Sequence, residues 1–208
     1  GRYSYGNQPA IAQWNLVRFA ESLLSLIDPD QVVAVAAVTE ILEDFPDRYQ
    51  RCWLAGVRTK LGLVEGREDD AALAAELLDL LTAQRVDYTS IFRALSDSLR
   101  GEDAALLHLF DDHAVIHPWM SRWRNRLETE RRDPALVANE MDLTNPVYIP
   151  RNHLVEEALA AAGEGELAPF HALLGAVSEP FADRKGWERY ASPAPEGFDD
   201  AYATFCGT

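Results

Sequence analysis

The sequence predicts an all-α fold, and three observations support this prediction. Apolar residues recur at the spacing of one helical face, as in the first stretch at Ile11, Trp14, Val17, Leu24 and Ile27. No stretch alternates apolar and polar residues for long enough to indicate a β-strand. Proline and glycine lie between the periodic stretches, where they are typical of helix starts and ends.

Start and stop signals predict three helices in the first part of the chain. The segment Asn7-Gln8-Pro9 begins the first helix, since Asn7 or Gln8 can cap it and Pro9 fits a first turn that needs no backbone N–H. Asp28-Pro29-Asp30 separates it from a second helix over about residues 32–45. We expect Pro46 to kink or end that helix. The third helix is predicted to end at a Gly62 cap.

The same signals predict the remaining helices. Asp69 or Asp70 can cap the helix after the polar break at residues 65–70, and Asp87 and Asp133-Pro134 begin later helices. In chain order, these helices span about residues 71–83, 87–101, 102–110 and 119–130, then a segment from Asp133, then 151–162 and 166–177. Residues 145–150 are predicted to be an extended link because two prolines interrupt them. The domain prediction is one helical body over residues 1–180 and an irregular tail over residues 181–208.

Composition and charge exclude several classes of function. The chain has 208 residues, of which 48% are hydrophobic, and its net charge is −15. A strongly acidic surface repels phosphate backbones and anionic lipid, so nucleic acid and membranes are not expected partners. No apolar run is long enough to span a bilayer, and the first residues show no apolar signal region. We therefore expect a cytoplasmic protein.

Cysteine and histidine provide the first candidates for chemistry. Cys52 lies in helical sequence and is expected to be a small core residue. The chain has only one other cysteine, far away in the sequence, so no disulfide framework is expected. The best metal candidate is the segment that contains Asp111, Asp112, His113 and His117. Its histidines are four residues apart, but Pro118 favours extended backbone at His117 and opposes a shared helical face. A polar loop that caps the next helix is the favoured interpretation.

A basic and aromatic cluster is the second candidate. Trp119 and Trp123 lie one helical turn apart, and the arginines around them could bind phosphate or stack on a base; these are Arg122, Arg124, Arg126, Arg131 and Arg132. The favoured interpretation places both tryptophans in the core and pairs the arginines with Glu128, Glu130 and Asp133. On this interpretation the residues themselves provide a scaffold, with no complete enzyme active site.

Four segments together resemble the selenoprotein O family, formerly grouped as uncharacterised YdiU-type proteins. The first resembles GRYxxxNQPxxxxWNL and contains Gly1, Arg2, Tyr3, Asn7, Gln8, Pro9 and Trp14. The second, Lys60-Leu61-Gly62-Leu63, resembles a helix-ending KLGL. The third resembles NPxxIxRNxLxxxA and contains Asn145, Pro146, Ile149, Arg151, Asn152, Leu154 and Ala158. The fourth, Phe205-Cys206-Gly207-Thr208, resembles a cysteine-bearing C-terminus. The resemblance runs in order along the whole chain and is weakest over about residues 65–140.

This resemblance implies the C-terminal part of a protein-kinase-like (pseudokinase) C-lobe. Family members bind ATP with Mg²⁺ or Mn²⁺ and transfer AMP to hydroxyl groups of proteins. The family's catalytic residues precede the GRYxxxNQP segment, so no catalytic, cofactor-binding or metal-binding residue is carried over to this chain. Its expected partners are the N-terminal kinase-like portion of the same protein and, for the whole protein, its substrates. The chain alone is expected to be inactive.

One regulatory residue is implied by the resemblance. In some family members the near-terminal cysteine forms a disulfide with a cysteine just upstream of GRYxxxNQP, which makes activity redox-sensitive. Cys206 corresponds to the terminal partner, and Cys52 does not correspond to the other. We therefore expect Cys206 to be a free thiol in this chain.

The other motif residues are assigned structural roles. We expect Asn7 and Pro9 to start a supporting helix, Arg2 and Tyr3 to anchor an activation loop, and Arg151 and Asn152 to hold the extended link. Two alternatives stay open. A stand-alone helical interaction module needs an exposed apolar patch, and a metal-dependent hydrolase needs a metal at the segment of Asp111 and His117.

Overall fold

The all-α prediction is confirmed by a computed structural model of the chain. The structure describes residues 5–198 and residue 202, and no described residue lies in a β-strand. Within this part of the chain, no helix combines the length and the apolar character needed to cross a membrane. The chain divides into two compact units, Gly1–Val57 and Arg58–Thr208. This division falls inside the predicted helical body, and the body–tail boundary at residue 180 stays a prediction.

The first unit contains a helical hairpin. After a 3₁₀ turn at Tyr5–Asn7, α1 (Gln8–Ile27) and α2 (Gln31–Glu43) are followed by α3 (Phe45–Lys60), which runs past the end of the unit. The Gln13 side-chain amide donates a 3.1 Å hydrogen bond to the carbonyl oxygen of Leu42 and joins α1 to α2. Asp30 caps α2 by accepting a 2.9 Å hydrogen bond from the backbone N–H of Val32.

The helix starts of this unit match the proline signals. Asn7 occupies the N-cap position of α1 without a side-chain capping bond, and Pro9 lies in the first turn. Of the two outcomes expected at Pro46, a kink or the end of the helix, α2 shows the second, since it ends at Glu43, just before Pro46. The break lies at Asp44, and Pro46 lies in the first turn of α3, where a missing N–H breaks no helical hydrogen bond.

The prediction that Cys52 is a core residue is wrong. Its side chain is exposed, whereas the following Trp53 and Leu54 are half-buried and Val57 is buried. Successive residues of a helix are rotated by about 100° about its axis. Cys52 therefore points away from the side of α3 on which Trp53 and Val57 lie.

The second unit contains the larger core. Its helices are α4 (Asp70–Gln84), α5 (Tyr88–Leu99), α6 (Ala104–His108), α7 (His117–Glu128), α8 (Pro134–Thr144), α9 (Asn152–Gly163), α10 (Ala168–Ser178) and α11 (Glu188–Ala191). Helix α5 packs on α8, α4 on α7, and α9 on α10. As predicted, Asp87 and Asp133 cap α5 and α8 through their side chains.

Gly62 ends α3 as predicted, in a Schellman motif. The N–H of Leu63 donates to the carbonyl oxygen of Arg58 at 2.9 Å, and the N–H of Gly62 donates to that of Thr59 at 3.1 Å. Gly62 has a φ of +76°, and a Cβ atom there would lie 2.5 Å from Cγ1 of Val137. Only glycine therefore allows this turn to pack against α8 without strain.

Candidate functional site

The tryptophans of α7 belong to the core, as the favoured interpretation predicted. Trp119 and Trp123 are 1% and 0% exposed, and their rings are stacked with centroids 5.8 Å apart. Their indole N–H groups donate to the carbonyl oxygens of Leu73 at 2.8 Å and Leu61 at 3.0 Å. Because neither ring is accessible, α7 has no aromatic surface on which a nucleobase could stack.

The arginines of α7 are engaged in ion pairs, mostly with other helices. Arg122 pairs with Glu76 on α4, and Arg124 pairs with Asp103 at 2.6 Å. Of the predicted carboxylate partners, Glu130 does pair with an arginine of α7, at 3.1 Å from Arg126. The prediction that Asp133 pairs with these arginines is wrong, since Asp133 caps α8 instead. Partners distant in sequence cannot be identified from helical spacing.

Asp70 lies at the centre of a buried network of charges, which we call the Asp70 network: Arg58, Asp70, Arg126 and Glu130. The Asp70 side chain is 1% exposed and accepts 2.7 Å hydrogen bonds from Nε of Arg58 and Nε of Arg126. It also accepts a 2.8 Å hydrogen bond from the backbone N–H of Arg67. The network thus joins the end of α3, the start of α4 and the end of α7.

Glu130 extends the Asp70 network to the turn after α3. Its carboxylate, 2% exposed, accepts hydrogen bonds from the backbone N–H groups of Val64 at 3.2 Å and Glu65 at 3.1 Å. Arg126 also donates to the carbonyl oxygen of Glu65. These bonds satisfy backbone groups of a non-helical segment, so the network has a structural role that the sequence did not reveal.

Two of the family-like motif segments contact each other. Nζ of Lys60 donates to Oδ1 of Asn145 at 3.2 Å, and Nδ2 of Asn145 donates to the Lys60 carbonyl oxygen at 2.9 Å. Lys60 also lies over the ring of Phe92, 4.9 Å from its centroid. Burial lowers the pKa of the Lys60 amine. Asn145 is 1% exposed, and both the oxygen and the nitrogen of its amide bond to Lys60, which fixes the start of the extended link.

Arg151 holds the end of that link. It is 7% exposed, and its guanidinium donates to both oxygens of Asp87, at 2.9 and 3.0 Å, and to the Ala191 carbonyl oxygen at 2.8 Å. Asp87 is the N-cap of α5, so this fork joins α5, α9 and α11. Asn152, for which a similar role was expected, is an exposed residue at the first position of α9.

A cleft of about 990 Å³ lies beside this ion pair. It is lined by residues 85–88, 108–109, 149–153 and 193–197, four separate segments that no sequence motif connects. Asp87 lines it, but its carboxylate accepts from Arg151 and from the hydroxyl of Ser90 at 2.5 Å. Hydrogen bonds from Arg151 and Ser90 outweigh the effect of burial and lower the pKa of this carboxyl, which makes it a weaker base.

The metal candidate is not assembled. Asp112 caps the 3₁₀ turn His113–Val115 through the N–H of Ala114, and His117 begins α7. The two histidines thus belong to different elements, because Pro118 starts a new helix. Over residues 5–198 and 202, no three His, Cys, Asp or Glu side chains are grouped to hold a metal ion.

Three of the predicted residues, Arg2, Tyr3 and Cys206, lie outside the described residues. Among those described, Gln8 and Pro9 form the first turn of α1, where Trp14 is 51% exposed. Pro146 lies in the link just after Asn145. The described motif residues are therefore distributed over both units.

Stability is expected to fall below about pH 4 because of Asp70 and Asp87. Burial alone would raise the pKa of each carboxyl, but hydrogen bonds outweigh it and hold both pKa values below the ordinary range. The donors are Arg126, the Arg67 N–H and Arg58 for Asp70, and Arg151 and Ser90 for Asp87. A lowered folded-state pKa gives stability that is present above the unfolded value of about 3.9 and is lost as the pH falls through the folded value.

Thermal melts between pH 7 and pH 2 measure this loss. The variant Asp87→Asn should be less stable at pH 7 and should show a flatter fall below pH 4. Asp97 has the opposite effect on stability, since burial and the nearby Asp142 raise its pKa. Its contribution to the stability of the folded state decreases as the pH rises. An unchanged acid slope in Asp87→Asn would contradict the assignment.

A nucleotide site needs a cation that can contact the phosphates. The three arginines of α7 do not meet this need, because Arg122, Arg124 and Arg126 are all paired within the chain.

Comparison with known proteins shows where the chain is similar to others. A family model described as "Protein adenylyltransferase SelO" matches residues 1–178. Two curated proteins named "Protein nucleotidyltransferase YdiU", from Cereibacter sphaeroides and Chromobacterium violaceum, are each 52% identical to the chain. A third of that name, from Mycolicibacterium paratuberculosis, is 50% identical. Each comparison covers 100% of this chain but only 42%, 44% and 42% of the relative's length, respectively.

Proposed function

The chain belongs to the SelO family of protein adenylyltransferases, and on this premise we propose that it is the C-terminal helical scaffold of a longer enzyme that transfers AMP from ATP to hydroxyl groups of proteins. The observation that carries the proposal is the similarity to relatives named as nucleotidyltransferases. About half of the positions are identical along the whole chain, and the chain covers less than half of the length of each relative.

The contacts within the second unit support a scaffold role for two of the family-like motif segments. Asn145 is hydrogen-bonded to Lys60, and Arg151 is hydrogen-bonded to Asp87 and Ala191. These side chains are directed into the protein, and each joins helices distant in sequence. A rigid set of helices of this kind can position catalytic groups supplied by other parts of a polypeptide.

The proposal assigns the remaining functions to the longer protein. In it, ATP with Mg²⁺ or Mn²⁺ binds to a kinase-like portion outside this chain, and the chain contributes part of the pseudokinase C-lobe. The substrates are proteins, and the enzyme acts in the cytoplasm. Cys206 is the terminal partner of a redox-sensitive disulfide whose second cysteine lies outside this chain.

A stand-alone interaction module is the second candidate. One observation favours it: large apolar side chains are exposed along α1 and α2, including Phe19 at 61% and Leu26 at 81%. The metal-dependent hydrolase has no such support, because the described residues contain no group of three or more potential metal ligands, at the candidate segment of Asp111, Asp112, His113 and His117 or elsewhere.

The proposed function is tested with the longer polypeptide and with this chain, each given ATP labelled at the α-phosphate and Mg²⁺ or Mn²⁺. We expect label on protein hydroxyl groups with the longer polypeptide alone. Calorimetric titration of the 208-residue chain with ATP and Mg²⁺ should give no binding signal. Saturable one-to-one binding to the chain would contradict the scaffold role, and absence of label in the longer polypeptide would contradict the activity.

A further inference from the structure

Helix α1 has an apolar stripe that the first unit does not cover. Leu16, Phe19, Leu23 and Leu26 follow one another at spacings of three, four and three residues, which places them on one side of the helix. Leu16, Phe19 and Leu26 are 40%, 61% and 81% exposed, and Leu23 is half-buried. We call these four residues the α1 stripe.

The α1 stripe is distinct from the side of α1 that meets α2. Gln13 marks that side through its bond to Leu42, and Val17 and Leu24 follow it at helical spacing and are half-buried. The charged residues Arg18 and Glu21 pair at 2.7 Å and point away from the α1 stripe at 100° per residue. The helix thus has one side for its hairpin partner, one for solvent and a third, apolar side.

Helix α2 is apolar on more than one side as well. Val32, Val33, Val35 and Ile41 are 78%, 50%, 42% and 73% exposed, and no charged residue occurs in the helix before Glu40. A helix that is hydrophobic all round is normally buried in a larger protein. Of the described residues in the first unit, only Ala34 and Val57 are buried, which is far too small a core for a unit of this size.

The comparisons indicate what covers these helices. The chain covers 42% of the relative from Cereibacter sphaeroides, so more than half of that protein lies outside the matched region. The comparison covers 100% of this chain at 52% identity, so the apolar helices lie within the matched region. A segment joined covalently to the chain acts at an effective concentration in the millimolar range, which favours it over a second copy or a separate protein.

We propose that the α1 stripe and the exposed apolar residues of α2 form a docking surface for the part of the longer polypeptide outside this chain. This inference rests on the proposed function only in that the chain is one portion of a longer protein. The occupant is apolar where it meets Phe19 and Leu26, since charged groups placed there would be desolvated without a partner.

Hydroxyl-radical footprinting of the longer polypeptide tests the docking surface residue by residue. We expect the oxidation rates of Phe19 and Leu26 to fall to those of the buried Phe92 and Leu77, which are 2% and 1% exposed. Leu136 and Leu143 are matched exposed controls at 60% and 74%. In the 208-residue chain at low concentration, Phe19 and Leu26 should be oxidised as fast as the controls.

A paired substitution gives a second readout. Phe19→Asp with Leu26→Asp should lower the melting temperature of the longer polypeptide by roughly 5 °C or more. The matched pair Leu136→Asp with Leu143→Asp should cause a smaller shift, because both leucines are isolated on α8 by Asn139 and Glu140. In the 208-residue chain the two pairs should have equal effects, since all four side chains are exposed there.

The outcomes separate the inference from the proposed function. Rapid oxidation of Phe19 and Leu26 in the longer polypeptide would overturn the docking surface, even if AMP transfer is observed. Protection that depends on the concentration of the 208-residue chain, with a matching dimer, would assign the surface to a second copy and overturn the proposed occupant. Protection in a monomeric longer polypeptide without AMP transfer would support the docking surface and contradict the activity alone.

Discussion

Asp70→Asn is expected to destabilise the protein by about 3–5 kcal/mol, because removing one partner of a buried ion pair leaves the other charge uncompensated. The Asp70 carboxylate is 1% exposed and forms ion pairs with Arg58 and Arg126. The Arg126 side chain is itself only 9% exposed. Asparagine keeps the volume of the side chain. It replaces one acceptor oxygen by an NH₂ group that faces a donor of a guanidinium.

Urea denaturation at pH 7 measures this effect through the free energy of unfolding. The matched control is Glu76→Gln, on the same helix as Asp70, which removes the carboxylate partner of Arg122. The side chains of Glu76 and Arg122 are 41% and 54% exposed. An exposed ion pair contributes at most about 1 kcal/mol. If Asp70→Asn cost no more than this control, Asp70 would not be the centre of a buried network.

Arg151→Ala is expected to cost about 3 kcal/mol, since it leaves the Asp87 carboxylate without its bidentate partner. The substitution also removes the hydrogen bond to the Ala191 carbonyl oxygen, which holds α11 to the rest of the unit. Two segments therefore lose a contact together: the N-terminus of α9 and helix α11. Arg151→Lys should recover part of the loss, because lysine keeps the charge but lacks the planar fork.

Thermal unfolding and the urea midpoint of Arg151→Ala provide the test, with Arg189→Ala as the control. Arg189 pairs with Glu157, and these side chains are 56% and 47% exposed, so its loss should cost less than about 1 kcal/mol. A melting temperature equal to that of the unchanged protein would contradict the structural role of Arg151. Hydrogen exchange of α11 would then show whether the Ala191 contact matters independently.

Several elements of the fold could be predicted from the sequence because their causes are local. Asp87 and Asp133 cap helices through bonds that span two or three residues, and Gly62 ends α3 through bonds within one turn. Trp119 and Trp123 occupy one face of α7 because the helical period places positions four apart on the same side. Local backbone geometry thus determined these features before any packing was known.

The family motifs were recognisable in the sequence, but their contacts were not. Asn145 pairs with Lys60 across 85 positions, and Arg151 pairs with Asp87 across 64. Sequence spacing carries no information on pairs of this kind, since they form only when separate helices pack together. The expectation for Arg151 was a hydrogen-bonded anchor, and the structure gives the identity of its partner.

The sequence by itself determined the helical fold class, most helix ends and the family resemblance, because each depends on residues close together or on a pattern along the chain. The tertiary structure decided which charges are buried. Asp70 was one of two candidate caps for α4, and its environment follows from Arg58 and Arg126, which lie 12 and 56 positions away. It also decided that Cys52 is exposed and that the α1 stripe is uncovered, because burial depends on which surfaces meet and helical periodicity specifies only which residues share a side.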